Sequence, residues 1–469
     1  MRKLLGPARP ADGSVVRNRG FRQLWLSFTM SVAADQIFPV TVTIAALDAG
    51  GTASTVGAIL TGRWLALIVF ALLGGLWADR LPRRTVMVAS LGFQCCVVAT
   101  GLRGGASTAL LTLLVFLVGA AEAFHRPAYQ ACMASVLTPD QRPAAAALAS
   151  VSWRLGAVIG PGVGASVVTA WSPRIGFIAV LAAYLTGLVL LLPLREPVVT
   201  PERRASAVRE IADGLSEVSR RPWVMGGIIA IALQQMLTIA PGLVMLPLVS
   251  RDVFGDDAVY GTALALLSVG GLAGALISMR WRPVRPGLAG IIGVALYGAV
   301  PLTLAWPVSP AFLYACYILA GLGLEIYGVQ WAVNLQREIP PERLARVTSV
   351  DWLASSIMTP LGLTLTGPAS AALGRSTLLA LSAIAGFAVP LATLFLRGMP
   401  RFRSDLPPAG GDRAVDATPA GPARRGRHGV ALTHRRRPAQ SRPGGGNGDD
   451  SHPEMSQRRP SGSHGRKSS

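Results

Sequence analysis

Acidic side chains are scarce in this chain. Only 24 Asp and Glu stand against 44 Lys and Arg, and all charged residues together make up 14% of 469. A soluble domain carries about 25%. Cysteine is nearly absent: Cys95, Cys96, Cys132 and Cys316 lie in or beside apolar stretches, without metal-ligand spacing or a disulfide pattern, and read as packing residues. There is no nucleotide-binding loop, zinc motif or nucleophile elbow. An enzyme is therefore not expected, no cofactor or metal is implied, and ATP is not the expected energy source. Arg2, Lys3 and Arg9 precede polar, Pro-rich sequence rather than a short apolar core, so no cleavable signal peptide is expected. No basic stripe alternates with exposed aromatics, which argues against nucleic acid. The net charge of +20 sits between apolar blocks and in the tail, where lipid headgroups are the expected anionic partner.

Apolar sequence is what the chain has in abundance, at 51% of residues and in long blocks. The blocks predict an all-α, polytopic membrane protein with twelve transmembrane helices, at about 21–47, 55–77, 85–102, 108–124, 144–170, 175–192, 223–249, 259–279, 288–305, 311–333, 347–372 and 376–396. They divide the chain into a basic arm (1–20), a six-helix half (21–194), a polar linker (195–222), a second six-helix half (223–397) and a tail (398–469). Arginines crowd the loops of one side, from Arg17 to Arg397. The other side holds Arg103, Arg174, Arg251 and Arg375, an asymmetry of roughly fivefold that places the first side, and both termini, in the cytoplasm of a cell-membrane protein. In the linker, Val208, Ile211, Leu215 and Val218 recur at helical spacing opposite Arg209, Asp213, Glu217 and Arg220, which predicts an amphipathic helix on the membrane surface. The tail has 14 basic and 6 acidic residues from Gly398 onward, a balance of 14 − 6 = +8, and too little apolar sequence to fold, so disorder is expected.

The two halves repeat. Ser150-Val151-Ser152-Trp153 parallels Ser349-Val350-Asp351-Trp352, and Pro161 and Pro360 each follow their tryptophan by eight residues. Glu122 parallels Glu325, and Asp35-Gln36 parallels Gln234-Gln235. Duplicated halves are the architecture of secondary transporters, whose substrate site lies between them.

Charge inside an apolar helix costs roughly 2.5–3.5 kcal/mol on insertion scales, so it has a partner or a job. Asp35 and Gln36 fall mid-span in helix 1, Glu122 in helix 4, Arg154 in helix 5, Glu325 in helix 10 and Asp351 near the start of helix 11. They are the candidates for proton coupling or substrate contact. Low dielectric disfavours the charged form of a carboxyl, which lets it take up and release protons. The structural alternative is pairing, for example Glu122 with Arg154. Asp35 has no evident partner, and Asp351 reads equally well as a charge at a helix N-terminus.

Between helices 2 and 3 stands Gly75-Leu76-Trp77-Ala78-Asp79-Arg80-Leu81-Pro82-Arg83-Arg84. It resembles the gating loop of the major facilitator superfamily through Gly75, Asp79, Arg80, Arg83 and Arg84, with Pro82 where many members have a second glycine. The resemblance implies that Asp79 meets the N-terminus of helix 11 when the cavity faces out. Gly156, Gly160, Pro161 and Gly164 of helix 5 are similar to the antiporter motif of the superfamily's exporters. Ala165 replaces the usual last glycine, and helix 4 lacks the arginine common in drug–proton exporters. Asn18-Arg19-Gly20-Phe21-Arg22-Gln23-Leu24-Trp25 and Phe124-His125-Arg126-Pro127-Ala128 resemble the subfamily of enterobactin exporters and macrolide efflux proteins; His125 reads as a loop residue. The resemblance implies a monomeric, proton-coupled exporter of a small amphiphilic molecule working by alternating access. Import, lipid or lysolipid flipping, and a non-transporting scaffold or sensor remain alternatives. The buried acids and the gating loop argue against the last.

Overall fold

Apolar runs of this length become helices because a backbone away from water must satisfy its own polar groups. The computed structural model describes residues 14–78, 82–103, 107–194 and 214–403. The first half holds α1 (Arg19–Asp48), α2 (Ala53–Ala78), α3 (Arg83–Gly101), α4 (Thr108–Val136), α5 (Arg142–Ala170) and α6 (Pro173–Leu191). The second holds α7 (Pro222–Asp252), α8 (Ala258–Arg280), α9 (Pro286–Ala305), α10 (Pro310–Glu338), α11 (Pro341–Leu373) and α12 (Arg375–Phe395). Eleven of these are long and apolar enough to cross a membrane, and the other, α11, runs 33 residues among them. No strand occurs among the described residues.

Local chemistry sets several boundaries. The Asn18 side chain accepts hydrogen bonds from the Gly20 and Phe21 amides (3.0 and 3.2 Å) and caps α1. Ser107, Ser172 and Ser309 cap α4, α6 and α10 in the same way. Helix 4 extends twelve residues beyond its apolar span, through Pro127 to Val136. His125, expected in a loop, is therefore helical and buried. Helix 11 begins at Pro341 rather than 347, which puts Asp351 in its third turn, too deep for a helix-terminus charge. Hydropathy marks neither end: His125, Ala128, Tyr129, Cys132 and Met133 of the helix 4 extension are buried, whereas the added first turns of helix 11 stay part-exposed, with the Arg343 side chain at 50%.

The linker differs from expectation where it is described. Residues 214–219 are helical, and Val218 is buried as predicted. Leu215, however, is 59% exposed, and Glu217 is buried at 6%. Glu217 ion-pairs with Arg221 and accepts a 2.7 Å hydrogen bond from Arg343 at the start of α11. Burial pushes the Glu217 carboxyl up, but these two arginines outweigh it and hold the group below the usual carboxylate range. A carboxylate with two guanidinium partners can be buried where an unpaired one cannot. Val208, Ile211, Arg209 and Asp213 lie outside the described residues.

Alternate helix ends gather the arginines at one end of the bundle, here the basic end, with Arg22, Arg142, Arg280 and Arg285. At the opposite, arginine-poor end the two halves share one apolar core: Val40, Ile44, Val56 and Val168 pack with Val244, Leu246, Val259 and Leu363. A Cβ on Gly57 would stand 2.4 Å from the Leu363 carbonyl oxygen, and one on Gly261 would stand 2.6 Å from the Pro161 carbonyl oxygen. Only glycine permits these approaches of α2 to α11 and of α8 to α5. The Thr61 and Thr364 hydroxyls meet at 3.0 Å, and Arg251 Nη2 reaches Asp48 Oδ1 at 2.7 Å. Arg251 and Asp48 are part-exposed, so their pair stabilises by no more than about 1 kcal/mol. Packing closes this end.

Candidate functional site

A cavity of about 780 Å³ lies between the halves, lined from α1, α4 and α5 on one side and α8 and α10 on the other. The stretches of α4 and α5 that line it belong to the basic-end parts of those helices, opposite the closed end. Phe28 and Tyr129 stack in its wall with ring centroids 4.1 Å apart, and the Arg126 guanidinium sits 4.8 Å from the Trp153 ring centroid. Arg154 Nη2 donates to Glu325 Oε1 at 2.8 Å across the cavity, joining α5 of one half to α10 of the other.

Behind this wall the first half holds a buried charged cluster. Glu122, 1% exposed, accepts from Arg63 Nε at 3.1 Å and Arg63 Nη2 at 3.2 Å, and it ion-pairs with Arg126 one turn on. The fork of Arg63 matches the carboxylate geometry, the arrangement in which such pairs are strongest. Asp35, also buried, accepts a 2.6 Å hydrogen bond from the Tyr184 hydroxyl of α6, and it feels the charges of Glu122, Arg63 and Arg126. Arg126 therefore belongs both to this cluster and to the cavity wall.

Of the six sequence candidates for coupling or substrate contact, Arg154 and Glu325 line the cavity together. Asp35 and Glu122 sit behind it, in one cluster. Gln36 packs its side chain against Gly160 and is not in the cavity wall. Asp351 accepts from the Trp331 indole at 2.9 Å, away from the others. The suggested pairing of Glu122 with Arg154 does not occur, because each has a different partner. Nor is Asp35 without one. Arg63 escaped the sequence reading although it stands alone in the apolar run of α2. The rule that flagged Glu122, that charge in an apolar helix needs a partner, would have found it.

The repeat explains the asymmetry. Glu122 and Glu325 occupy matching helices, but α8 has no arginine before Arg280 at its end, whereas α2 supplies Arg63 mid-helix. Glu325 thus lacks a partner within its own half and takes Arg154 from the other.

The glycines of α5 face α1. A Cβ on Gly156 would lie 2.6 Å from Val32 Cγ1, one on Gly160 2.5 Å from Gln36 Cβ, and one on Gly164 3.3 Å from the Ile37 backbone. Pro161 is buried beside them and meets α8 through its carbonyl. In the gating loop, Gly75 lies within α2, while Asp79 and Arg80 lie outside the described residues. Arg83 donates to the Ala131 carbonyl (3.3 Å) and Arg84 to the Leu191 carbonyl (3.3 Å), tying the start of α3 to α4 and α6.

Residues 24–363 match the family model described as Major Facilitator Superfamily. The chain belongs to the major facilitator superfamily. It is a multi-pass membrane transporter, not an enzyme, and its two six-helix halves are those of the superfamily fold. Among curated relatives, it is 23% identical over 360 residues to macrolide efflux protein A of Streptococcus pyogenes, an alignment covering 74% of this chain and 88% of that protein. It is 25% identical over 359 residues to the enterobactin exporter EntS of Escherichia coli O1:K1 / APEC, covering 72% and 82%. Among solved structures, nucleoside transporter NupG superposes with a TM-score of 0.61 at 12% identity, over 80% of this chain and 98% of that one. The superfamily assignment makes small molecules the cargo and the cell membrane the location.

Proposed function

We propose that this superfamily member is a monomeric, proton-coupled exporter of small amphiphilic molecules, with its basic end and both termini in the cytoplasm. The observation that carries the reading is the juxtaposition of a 780 Å³ cavity with a buried carboxylate cluster that reaches its wall through Arg126. The wall offers aromatic faces and charged groups side by side, which suits a ligand with an apolar body and a polar handle. The efflux relatives support the direction of transport. With the basic end inside, a cavity closed at the opposite end is loaded from the cytoplasm. Asp35 and Glu122 are the proposed coupling groups, and Arg154 and Glu325 the proposed substrate contacts. The deciding experiment is pH-driven transport in proteoliposomes, with a proton uncoupler as control, using an amphiphilic aromatic dye as probe. Dye movement indifferent to both the gradient and the uncoupler would sink the coupling claim.

Orientation is checked separately. Cysteine at Asp256 is expected to react with an impermeant thiol reagent added to intact cells, and cysteine at Arg282 only after lysis. The reverse labelling would overturn the orientation.

The Arg154–Glu325 pair is 42% and 27% exposed at its side chains, so it contributes little to stability, about 0–1 kcal/mol. Its proposed role is to link the halves and to be displaced by cargo. Glu325→Gln is expected to leave thermal stability near wild type while slowing dye transport about tenfold, equivalent to about 1.4 kcal/mol on the rate-limiting barrier. Exchanging the two charges, Arg154→Glu with Glu325→Arg, is expected to restore part of the rate. A wild-type rate in Glu325→Gln would remove the pair from the mechanism.

A further inference from the structure

A second cleft, about 460 Å³, lies at the basic end of the second half and away from the central cavity. It is bounded by the α8–α9 connection, the last turns of α10 and the segment after α12. Four arginines line it: Arg282, Arg337, Arg401 and Arg403. They come from three separate stretches of chain. None of these guanidiniums makes a hydrogen bond or ion pair among the described residues, although carboxylates elsewhere in the bundle hold arginines tightly. The cleft's single carboxylate, Glu338, is already engaged in an interaction of its own. The remaining polar wall is the amides of Gln330 and Asn334, both buried, and the Ser278 hydroxyl.

Arginine at this end would serve topology wherever it stood, and topology does not require convergence on one cleft. Four unpaired guanidiniums around a pocket define an anion site, and their planar forks suit phosphate oxygens. The rim narrows the choice of anion. Met279 is 76% exposed, Val284 92% and Trp281 44%, all on or beside the turn that carries Arg282. Large apolar tips beside arginines belong at a bilayer interface, with tryptophan at headgroup depth. A free anion in water gains nothing from that rim. A phospholipid does, because its acyl chains cover the apolar tips while its phosphate meets the arginines.

We propose that this cleft binds the headgroup of an anionic phospholipid, with Arg282, Arg337, Arg401 and Arg403 on the phosphodiester. The full-length chain in a neutral detergent tests it through thermal unfolding during titration with short-chain phosphatidylglycerol. Phosphatidylcholine of the same chain length and inorganic phosphate form the control arms. Phosphatidylglycerol is expected to raise the unfolding temperature saturably, and both controls to leave it within error. Arg337→Gln with Arg403→Gln is expected to weaken that response at least about tenfold. The independent pair Arg282→Gln with Arg401→Gln is expected to do the same. All four positions are exposed, so the substitutions leave the fold intact. An equal shift with inorganic phosphate would make this a free-anion site and overturn the lipid assignment. An equal shift with phosphatidylcholine would show only acyl-chain adsorption. Wild-type affinity in either double variant would remove the cleft from consideration.

Discussion

Asp35→Asn is expected to reach the membrane folded and to lose pH-driven efflux by at least about tenfold, more than about 1.4 kcal/mol in the barrier of the coupled step. The geometry separates the two functions of this side chain. Asn keeps the oxygen that accepts from Tyr184 at 2.6 Å and nearly the same volume, so the link between α1 and α6 survives. What it loses is the ability to ionise. In a site shielded from water, a carboxyl changes its net charge by binding a proton, and its neighbours respond. Those neighbours are Arg63, Glu122 and Arg126, the last of which also stands in the cavity wall. Protonation at Asp35 can therefore change the pull on a group that faces cargo. The measurement is dye efflux from proteoliposomes under an imposed gradient, beside downhill dye exchange without one. Coupled efflux should fall while exchange persists. Tyr184→Phe, which removes the hydrogen bond but not the carboxyl, is expected to have the smaller effect. Coupled efflux at the wild-type level in Asp35→Asn would make Asp35 a packing contact and move the coupling role to Glu122.

Glu122→Ala is expected to destabilise the protein by about 3 kcal/mol, near the lower end for breaking a buried pair from one side. The carboxylate is almost fully buried and holds two guanidiniums. Removing it leaves Arg63, at 19% side-chain exposure, without its two carboxylate hydrogen bonds and beside Arg126 of like charge, with Asp35 the acid left in the cluster. Arg126, at 43% exposure, can turn to solvent, which keeps the loss from being larger. The loss should appear as a lower unfolding temperature in detergent and lower yield. The test of cause is the double variant, Arg63→Met with Glu122→Leu. An apolar pair of similar volume removes both charges and is expected to recover much of the stability while abolishing transport. Stability at the wild-type level in Glu122→Ala would show that water reaches the cluster freely.

Different levels of the molecule were legible in the sequence to different degrees. Apolar runs located twelve helices, eleven of which are long and apolar enough to cross a membrane, because the bilayer demands about 20 apolar residues per span. It misplaced the ends of helices 4 and 11, where polar turns continue the helix beyond its apolar span. The identity of the charged positions was legible too, since each stands out against apolar sequence. Their pairing was not. Glu122 and Arg154 were equally compatible with each other and with other partners until the helices were arranged around them. In the linker, periodicity assigned Glu217 to the wet face, and only the arrival of Arg343 from α11 made its burial possible.

The sequence by itself determined the class of molecule: a two-fold repeated helical bundle with arginines gathered at one end. These follow from composition and local periodicity, which act over one helix at a time. Tertiary structure decided which charges meet, that Arg154 and Glu325 bridge the halves while Glu122 closes on Arg63 within one, and that α5 turns its glycines to α1. It also decided that four arginines distant in sequence share one cleft. The physical reason is that electrostatic and packing energies depend on distance across helices. A linear sequence records which groups need partners, and only the fold sets which partners come within 3 Å.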